Sequence, residues 1–202
     1  ANGAGKTTLV HILLGSSNKD EGTIYYKDQV IQSPYSTKIK RKFGFIQDEP
    51  LYIEYLSAIE NLQYFCAIYN KKIPRKELES QLASYGLDGK DPKLVKYFSR
   101  GMKQKLSLCF IDIINPELIV MDEPTIGLDI VSIDFLKSNI LAYSQAEKSL
   151  LITTHDIAFC KAIADEIYIL HNGTTKKMKN KNNLLNELDL SNAILAEINE
   201  SG

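Results

Sequence analysis

Leu118-Ile119-Val120-Met121-Asp122-Glu123 is a run of four apolar residues that ends in two carboxylates. A continuous apolar run of this length reads as a strand buried on both faces, as in a parallel sheet covered by helices. Similar runs return at residues 150–153 and 167–170, and helical patterns at about 130–144 and 157–164 separate the three. Strands alternating with helices specify an α/β fold with a mostly parallel sheet. In open sheets of this kind ligands gather outside the carboxyl ends of the strands, which is where Asp122 and Glu123 fall.

The chain before this strand fits the same plan. Residues 6–14 read as a helix stopped by Gly15, and a polar loop follows at 16–21. Residues 23–26 and 30–31 read as a strand and its return, and 43–46 as a short strand broken by Asp48-Glu49-Pro50. Ser57-Ala58-Ile59-Glu60 has the form of a capping box, with a helix running towards Tyr69. Pro74 suits the first turn of a second helix that Gly86 ends. Ser99 caps a third, which Asn115-Pro116 closes. The expected division is a domain over 1–173, with a helical subdomain inserted at about 51–114. Residues 174–202 form a peripheral extension that includes an amphipathic segment at 192–198.

A length of 202 residues with 44% hydrophobic and 24% charged content suits one globular domain with a small lobe attached. The net charge of −1 supplies no broad field for nucleic acid or anionic lipid, and no nucleic-acid partner is expected. Lys176, Lys177, Lys179 and Lys181 read as a solvated face. Cys66, Cys109 and Cys160 form no CxxC pair and no disulfide framework, which suits a reducing cytosol. No apolar run approaches the roughly 18 residues of a spanning helix, and no secretory signal pattern occurs. Integral membrane, collagenous and disulfide-rich secreted classes are excluded.

Asn2-Gly3-Ala4-Gly5-Lys6-Thr7-Thr8 matches the back half of the phosphate-binding pattern G-x-x-x-x-G-K-[ST]. Its glycines let backbone N–H groups wrap phosphates, and the helix that follows presents its positive end to them. Lys6 would neutralise β/γ-phosphate charge and the Thr7 hydroxyl would ligate Mg²⁺. Asp122 would hold the same Mg²⁺ through water, while Glu123 polarises a water for in-line attack on the γ-phosphate.

Together with these, three further stretches resemble the nucleotide-binding subunit of an ATP-binding-cassette (ABC) transporter. Phe98-Ser99-Arg100-Gly101-Met102-Lys103-Gln104 is similar to the family signature, Pro124-Thr125-Ile126-Gly127-Leu128-Asp129 to the D-loop, and Thr153-Thr154-His155-Asp156 to the switch histidine. The order and the intervals fit, with 23 residues from Ser99 to Asp122 and 32 from Glu123 to His155. The resemblance runs from Ala1 to about Gly173. It implies ATP hydrolysis in a head-to-tail dimer, homo- or heteromeric, with ATP between the phosphate loop of one subunit and Ser99, Arg100, Gly101 and Met102 of the other. It further implies that Asp129 reaches across the dimer and that His155 contacts the γ-phosphate and orients the attacking water. A separate integral membrane permease would be the partner, with the subunit docked peripherally on the cytoplasmic face.

Some positions depart from the family form. Arg100 and Met102 replace the usual glycine and glutamine, a variant similar to subunits paired with ABC-2-type permeases, which export peptides, antibiotics or lipid-linked polymers. Arg100 either adds charge near the phosphates or faces solvent. The position of the family's loop glutamine falls on Asp48, with Gln47 as the alternative under a one-residue shift. The segment 49–56 resembles the part that contacts the permease. The adenine-stacking aromatic and the strand feeding the phosphate loop do not precede Ala1, so the chain reads as an N-terminally truncated fragment, expected to be inactive by itself. The rival within the superfamily is a non-transport ATPase acting on DNA or ribosomes, which would bring coiled-coil insertions or two cassettes with a basic linker. A GTPase would want Asn-Lys-x-Asp, which Asn18-Lys19-Asp20-Glu21 misses, and a small-molecule kinase would lack the signature. A non-catalytic regulatory subunit would be expected to lose Glu123 or His155; both are present.

Overall fold

The computed structural model describes residues 5–47, 52–171 and 173–178. The elements run α1 (Lys6–Leu13), β1 (Ile24–Tyr26), β2 (Gln29–Ile31), α2 (Thr37–Lys40), β3 (Phe43–Ile46), α3 (Ala58–Ile68) and α4 (Arg75–Ser84). They continue with a 3₁₀ turn (Val95–Tyr97), α5 (Arg100–Ile114), β4 (Leu118–Asp122), α6 (Ile130–Gln145), β5 (Ser149–Thr153), α7 (Ile157–Ile163), β6 (Tyr168–His171) and β7 (Thr174–Lys177). They fall into two compact units, one of residues 1–35 with 153–202 and one of residues 36–152.

The unit of residues 36–152 is built on a three-stranded sheet in the order β3-β4-β5. β3 lies parallel to β4, in register from Phe43 opposite Leu118 to Ile46 opposite Met121. Ile119, Val120 and Met121 are buried, as the unbroken apolar run requires. α5 packs on β3 so closely that Gly44 has no room for a side chain. A Cβ there would lie 2.6 Å from Ile111 Cδ1 and 2.8 Å from Pro116 Cγ. The buried face of α5 carries Leu106, Leu108, Cys109 and Ile111, each worth about 1.5–3 kcal/mol of transfer free energy where it is large and fully enclosed.

The helical insertion forms around the same helix. α3 starts at the expected capping box, where Ser57 N–H donates to Glu60 Oε2 at 2.8 Å and Glu60 N–H donates to Ser57 Oγ at 3.4 Å. That backbone donor and the Ser57 hydroxyl hold the Glu60 carboxyl below its usual range. α3 buries Ala58, Ile59, Leu62 and Cys66 and packs on α4 and α5, with Phe65 and Phe110 ring centroids 4.3 Å apart. Asp112 of α5 joins three helices: it accepts from Tyr85 after α4, from Gln81 Nε2 at 3.2 Å and from Tyr143 of α6 at 2.8 Å. Burial, with Asp112 beside them, pushes both tyrosine hydroxyls up from their ordinary range.

The unit of residues 1–35 and 153–202 holds α1, the β1–β2 hairpin, α7 and the β6–β7 hairpin. β1 and β2 pair antiparallel across Lys27 and Asp28, both at positive φ (48° and 62°), the conformation of a two-residue turn that follows strand twist. β6 differs from its sequence reading. The apolar run at 167–170 was expected to add to the parallel sheet, but Tyr168–His171 pairs antiparallel with Thr174–Lys177 through a turn containing Gly173 (φ +76°). An apolar run fixes burial but not direction, and the return strand is too polar to announce itself. The lysine run is thereby half absorbed into structure: Lys176 and Lys177 lie in β7, where Lys177 pairs with Glu166. Lys179, Lys181 and the expected amphipathic segment at 192–198 lie outside the described residues.

The seat of α5 on β3 yields the first prediction. Gly44→Ala is expected to destabilise the protein by about 1–3 kcal/mol through overpacking, read as a lower denaturation midpoint at unchanged m-value. An unshifted midpoint would mean that Ile111 and Pro116 can yield without cost.

Candidate functional site

In the unit of residues 1–35 and 153–202, Gly5 is the residue on which α1 starts. It adopts φ +95° and ψ 14°, a backbone conformation that calls for glycine, and among the described residues a Cβ there would meet nothing within 4 Å. Lys6, Thr7 and Thr8 fill the first turn, where helix N–H groups have no intrahelical acceptor. The other end of α1 is anchored. Tyr35 donates its hydroxyl to Leu13 O at 3.0 Å, Ser33 donates to Gly15 O at 3.1 Å, and the Tyr35 ring fills the space a Cβ on Gly15 would need. Asn2, Gly3 and Ala4 lie outside the described residues.

His155 follows β5 and is exposed. The turn carrying it is fixed on both sides: Asp156 N–H donates to Thr154 Oγ1 at 3.0 Å, and Asp156 Oδ1 accepts from Phe159 N at 2.9 Å to cap α7. An imidazole on a braced turn, open to its surroundings, can act on a ligand without being a core group.

The unit of residues 36–152 carries the remaining site residues. Asp122 ends β4 and is only 5% exposed, while Glu123 next to it is half-buried. Glu123 adopts φ +48°, a left-handed conformation that costs a non-glycine residue about 1–3 kcal/mol. Ser99 caps α5 by accepting from Met102 N at 3.2 Å, and its own O–H remains able to donate. Arg100 is exposed, and its aliphatic stem runs against Gly127. Gly101 abuts Ser132 of α6. Asp129 caps α6, accepting from Ser132 N at 2.7 Å. That bond, with a second from the Ser132 hydroxyl, holds the Asp129 carboxyl below its usual range. The signature turn and the D-loop stretch are thus in contact. Ser132 belongs to neither motif, and only the tertiary packing identifies it.

Gln47 is half-buried directly after β3, and Asp48 lies outside the described residues. Of the segment 49–56, residues 52–56 are described. Tyr52 donates to Lys103 O at 2.8 Å and hydrogen-bonds Ser107; burial raises its hydroxyl pKa, and the Ser107 bond opposes that rise only in part. Asn61, fully buried, accepts from Ile53 N at 3.0 Å and donates to Ile53 O at 3.1 Å. Exposed Tyr55 then meets Lys96 Nζ at 4.9 Å from its ring centroid.

The backbone at Glu123 predicts an inverted stability order. Glu123→Gly is expected to be more stable than Glu123→Ala by about 1 kcal/mol, because only glycine adopts this conformation without strain. Chemical denaturation of both variants measures it; an alanine variant at least as stable as the glycine variant would show that the backbone there is unstrained.

Comparison with known proteins sets these residues in a family. The family described as ABC transporter matches residues 1–126. The lantibiotic transport ATP-binding protein SrtF of Streptococcus pyogenes is 32% identical over 172 residues, covering 85% of this chain and 72% of its own. The solved structure of cbiO1 from Clostridium perfringens, part of the ABC transporter complex cbiONQ, superposes with a TM-score of 0.76 at 21% identity. It covers 100% of this chain and 82% of that one. A dimeric ATP-binding cassette, MJ0796, in a post-hydrolysis state with ADP and Pi, gives a TM-score of 0.75 at 23% identity, over 89% and 83% of the two chains. At these identities the two structures speak for the fold, α/β with a parallel sheet and helices. The matched residues and the identity to SrtF show that the chain belongs to the ABC transporter family, as an ATP-binding subunit that is an ATPase.

Proposed function

We propose that this subunit hydrolyses ATP with Glu123 as the base and so drives export through a separate membrane permease, two copies or two related chains closing head to tail. The observation that carries the hydrolytic assignment is the end of β4. A buried Asp122 is followed there by a carboxylate in a strained backbone conformation, and strain of this kind gathers at functional sites.

The residues divide the work by chemistry. Lys6 pairs its ammonium with β/γ-phosphate oxygens, and Asn2, Gly3, Ala4, Gly5 and Thr8 complete the cradle with backbone and hydroxyl donors. Thr7 and Asp122 offer a hydroxyl and a carboxylate, the hard oxygen donors that suit Mg²⁺, which takes few protein ligands and keeps water and phosphate oxygens. When bound, the ion neutralises charge on the β- and γ-phosphoryl oxygens. Glu123 accepts the proton of the attacking water, His155 orients that water, and Asp48, or Gln47 in its stead, helps order it. Ser99, Arg100, Gly101 and Met102 serve the ATP held by the opposite subunit, through the Ser99 hydroxyl and the N–H groups that open α5. Asp129 reaches the same subunit.

Export of a peptide or antibiotic is supported by the Arg100 and Met102 signature variant and by the lantibiotic transport named for SrtF. No helix among the described residues is long and apolar enough to cross a membrane. As a subunit of the ABC transporter family working with a separate permease, it is read as peripheral, at the cytoplasmic face, with the permease contacting residues 49–56. The working cassette is residues 1–173 with its helical insertion at about 51–114, and 174–202 is an extension.

Two substitutions separate chemistry from binding in the assembled transporter. Glu123→Gln is expected to retain ATP and lose about two orders of magnitude or more in turnover, measured by phosphate release. Near-native turnover would remove Glu123 from the role of base. Lys6→Ala is expected to weaken ATP binding itself, measured by calorimetry under non-hydrolysing conditions, and unchanged affinity would refute the cradle.

A further inference from the structure

Gly101 and Gly127 have their side-chain space taken in a crossed pattern, one by a residue of α6 and the other by Arg100 beside Gly101. At Gly101, in the signature turn that opens α5, a Cβ would lie 2.4 Å from Ser132 Oγ of α6. At Gly127, in the loop before α6, a Cβ would lie 2.8 Å from Arg100 Cδ and 3.3 Å from Arg100 Nε. The signature segment thus inserts Arg100 over the loop's glycine, while α6 inserts Ser132 over the signature's glycine. A Cβ on either glycine would force the inserted side chain to shift.

Ser132 is in turn fastened to the loop. Its N–H donates to Asp129 Oδ1 at 2.7 Å, and its hydroxyl hydrogen-bonds the same carboxyl, with Lys105 adding a favourable charge. The loop is braced along its length, because Ile126 N donates to Glu123 O at 3.3 Å and Leu128 N donates to Thr125 O at 3.2 Å. Gly101, Ser132, Asp129 and the braced loop back to Glu123 thus form one contiguous run of contacts.

We propose that Arg100 and Ser132 form a reciprocal latch that makes the signature turn and the Glu123–Asp129 loop move as one body. Both are positioning residues in this role. The inference rests on the proposed assignment of the site, in which the signature meets the ATP held by the opposite subunit and Glu123 serves this subunit's own. A latch between them lets engagement of one ATP set the carboxylate that acts on the other. It also gives Arg100 a task that depends on its aliphatic stem, since Cδ makes the closest approach to Gly127.

The test uses the assembled transporter with Arg100→Ala, Arg100→Met, Ser132→Ala and the Arg100→Ala/Ser132→Ala double variant. Each alanine variant is expected to lower kcat by about ten- to a hundredfold, the scale of a small misplacement of a reacting group. The double variant is expected to fall within about threefold of the worse single, because both changes release one latch. Arg100→Met, which restores the stem without the charge, is expected to recover most of the loss. Losses that multiply in the double variant would overturn the latch, as would an Arg100→Met variant no better than Arg100→Ala. A readout independent of turnover is the Asp129 carboxyl titration by NMR, expected to move up towards the ordinary carboxylate range in Ser132→Ala. Alanine keeps the Ser132 N–H bond, so the shift reads the hydroxyl alone, and an unmoved midpoint would overturn the part of the tie made by the Ser132 side chain. Absence of turnover in the unsubstituted transporter would instead count against the assigned hydrolytic site, and the titration would still decide whether the Ser132 hydroxyl engages Asp129.

Discussion

The seating of α5 on β3 is the contact on which the unit of residues 36–152 depends. Gly44 has no side chain because Ile111 and Pro116 occupy its space, so the helix lies directly on the strand backbone. β3 is in register with β4, and β4 ends in Asp122. One rigid stack therefore sets where the carboxyl end of β4 lies relative to the start of α5, where Ser99, Arg100 and Gly101 are found. Interiors packed at this density move as blocks, which is why a helix can carry a ligand-facing turn at one end while its flank holds a sheet.

Polar groups fix the remaining freedom of that helix. Asp112 accepts from Tyr85, Gln81 and Tyr143, tying α5 to α4 and α6 through one carboxylate whose lone pairs are well used. A hub of this kind is costly to break singly, because the tyrosine hydroxyls left behind would have only poorer partners, such as Leu108 O at 3.5 Å from Tyr143. Cys109, one turn before Asp112, is fully enclosed, and burial pushes its thiol up to about 12. It stays protonated and packs as an apolar group, consistent with a chain whose cysteines show no pairing pattern.

Much of this was legible in the sequence because the signals were local. The capping box at Ser57 and Glu60, the cap at Ser99 and the apolar run of β4 each depend on residues within a few positions, and all three appear where expected. Asn115 at φ +50° ends α5 just before Pro116 for equally local reasons. What could not be read were contacts made at a distance. The direction of β6 depends on a partner strand of threonines and lysines, whose composition suggests a solvated loop. The short α2 and the 3₁₀ turn at Val95–Tyr97 are too brief to leave a periodic pattern. The two readings of Arg100, charge near phosphate or exposure to solvent, both overlooked Gly127, because nothing in the local sequence shows which residue lies under a side chain.

The residues at 123 and 127 show how a site can override backbone preference. Both adopt positive φ, at +48° and +68°, and backbone energy alone would place glycine at each. Glycine occurs only at 127, where the vacant side-chain space receives the Arg100 stem. At 123 a glutamate is kept despite a strain of about 1–3 kcal/mol, a large fraction of the net stability of an ordinary domain. Lys27 and Glu147 adopt the same backbone conformation, and what sets Glu123 apart is its place directly after a buried aspartate at a strand's carboxyl end. Its side chain is half-buried. The proposed chemistry at the end of β4 gives that place a use, and the proposed latch does the same for the glycine four residues on. There the absence of a side chain lets the loop that starts at Glu123 be gripped by the signature turn.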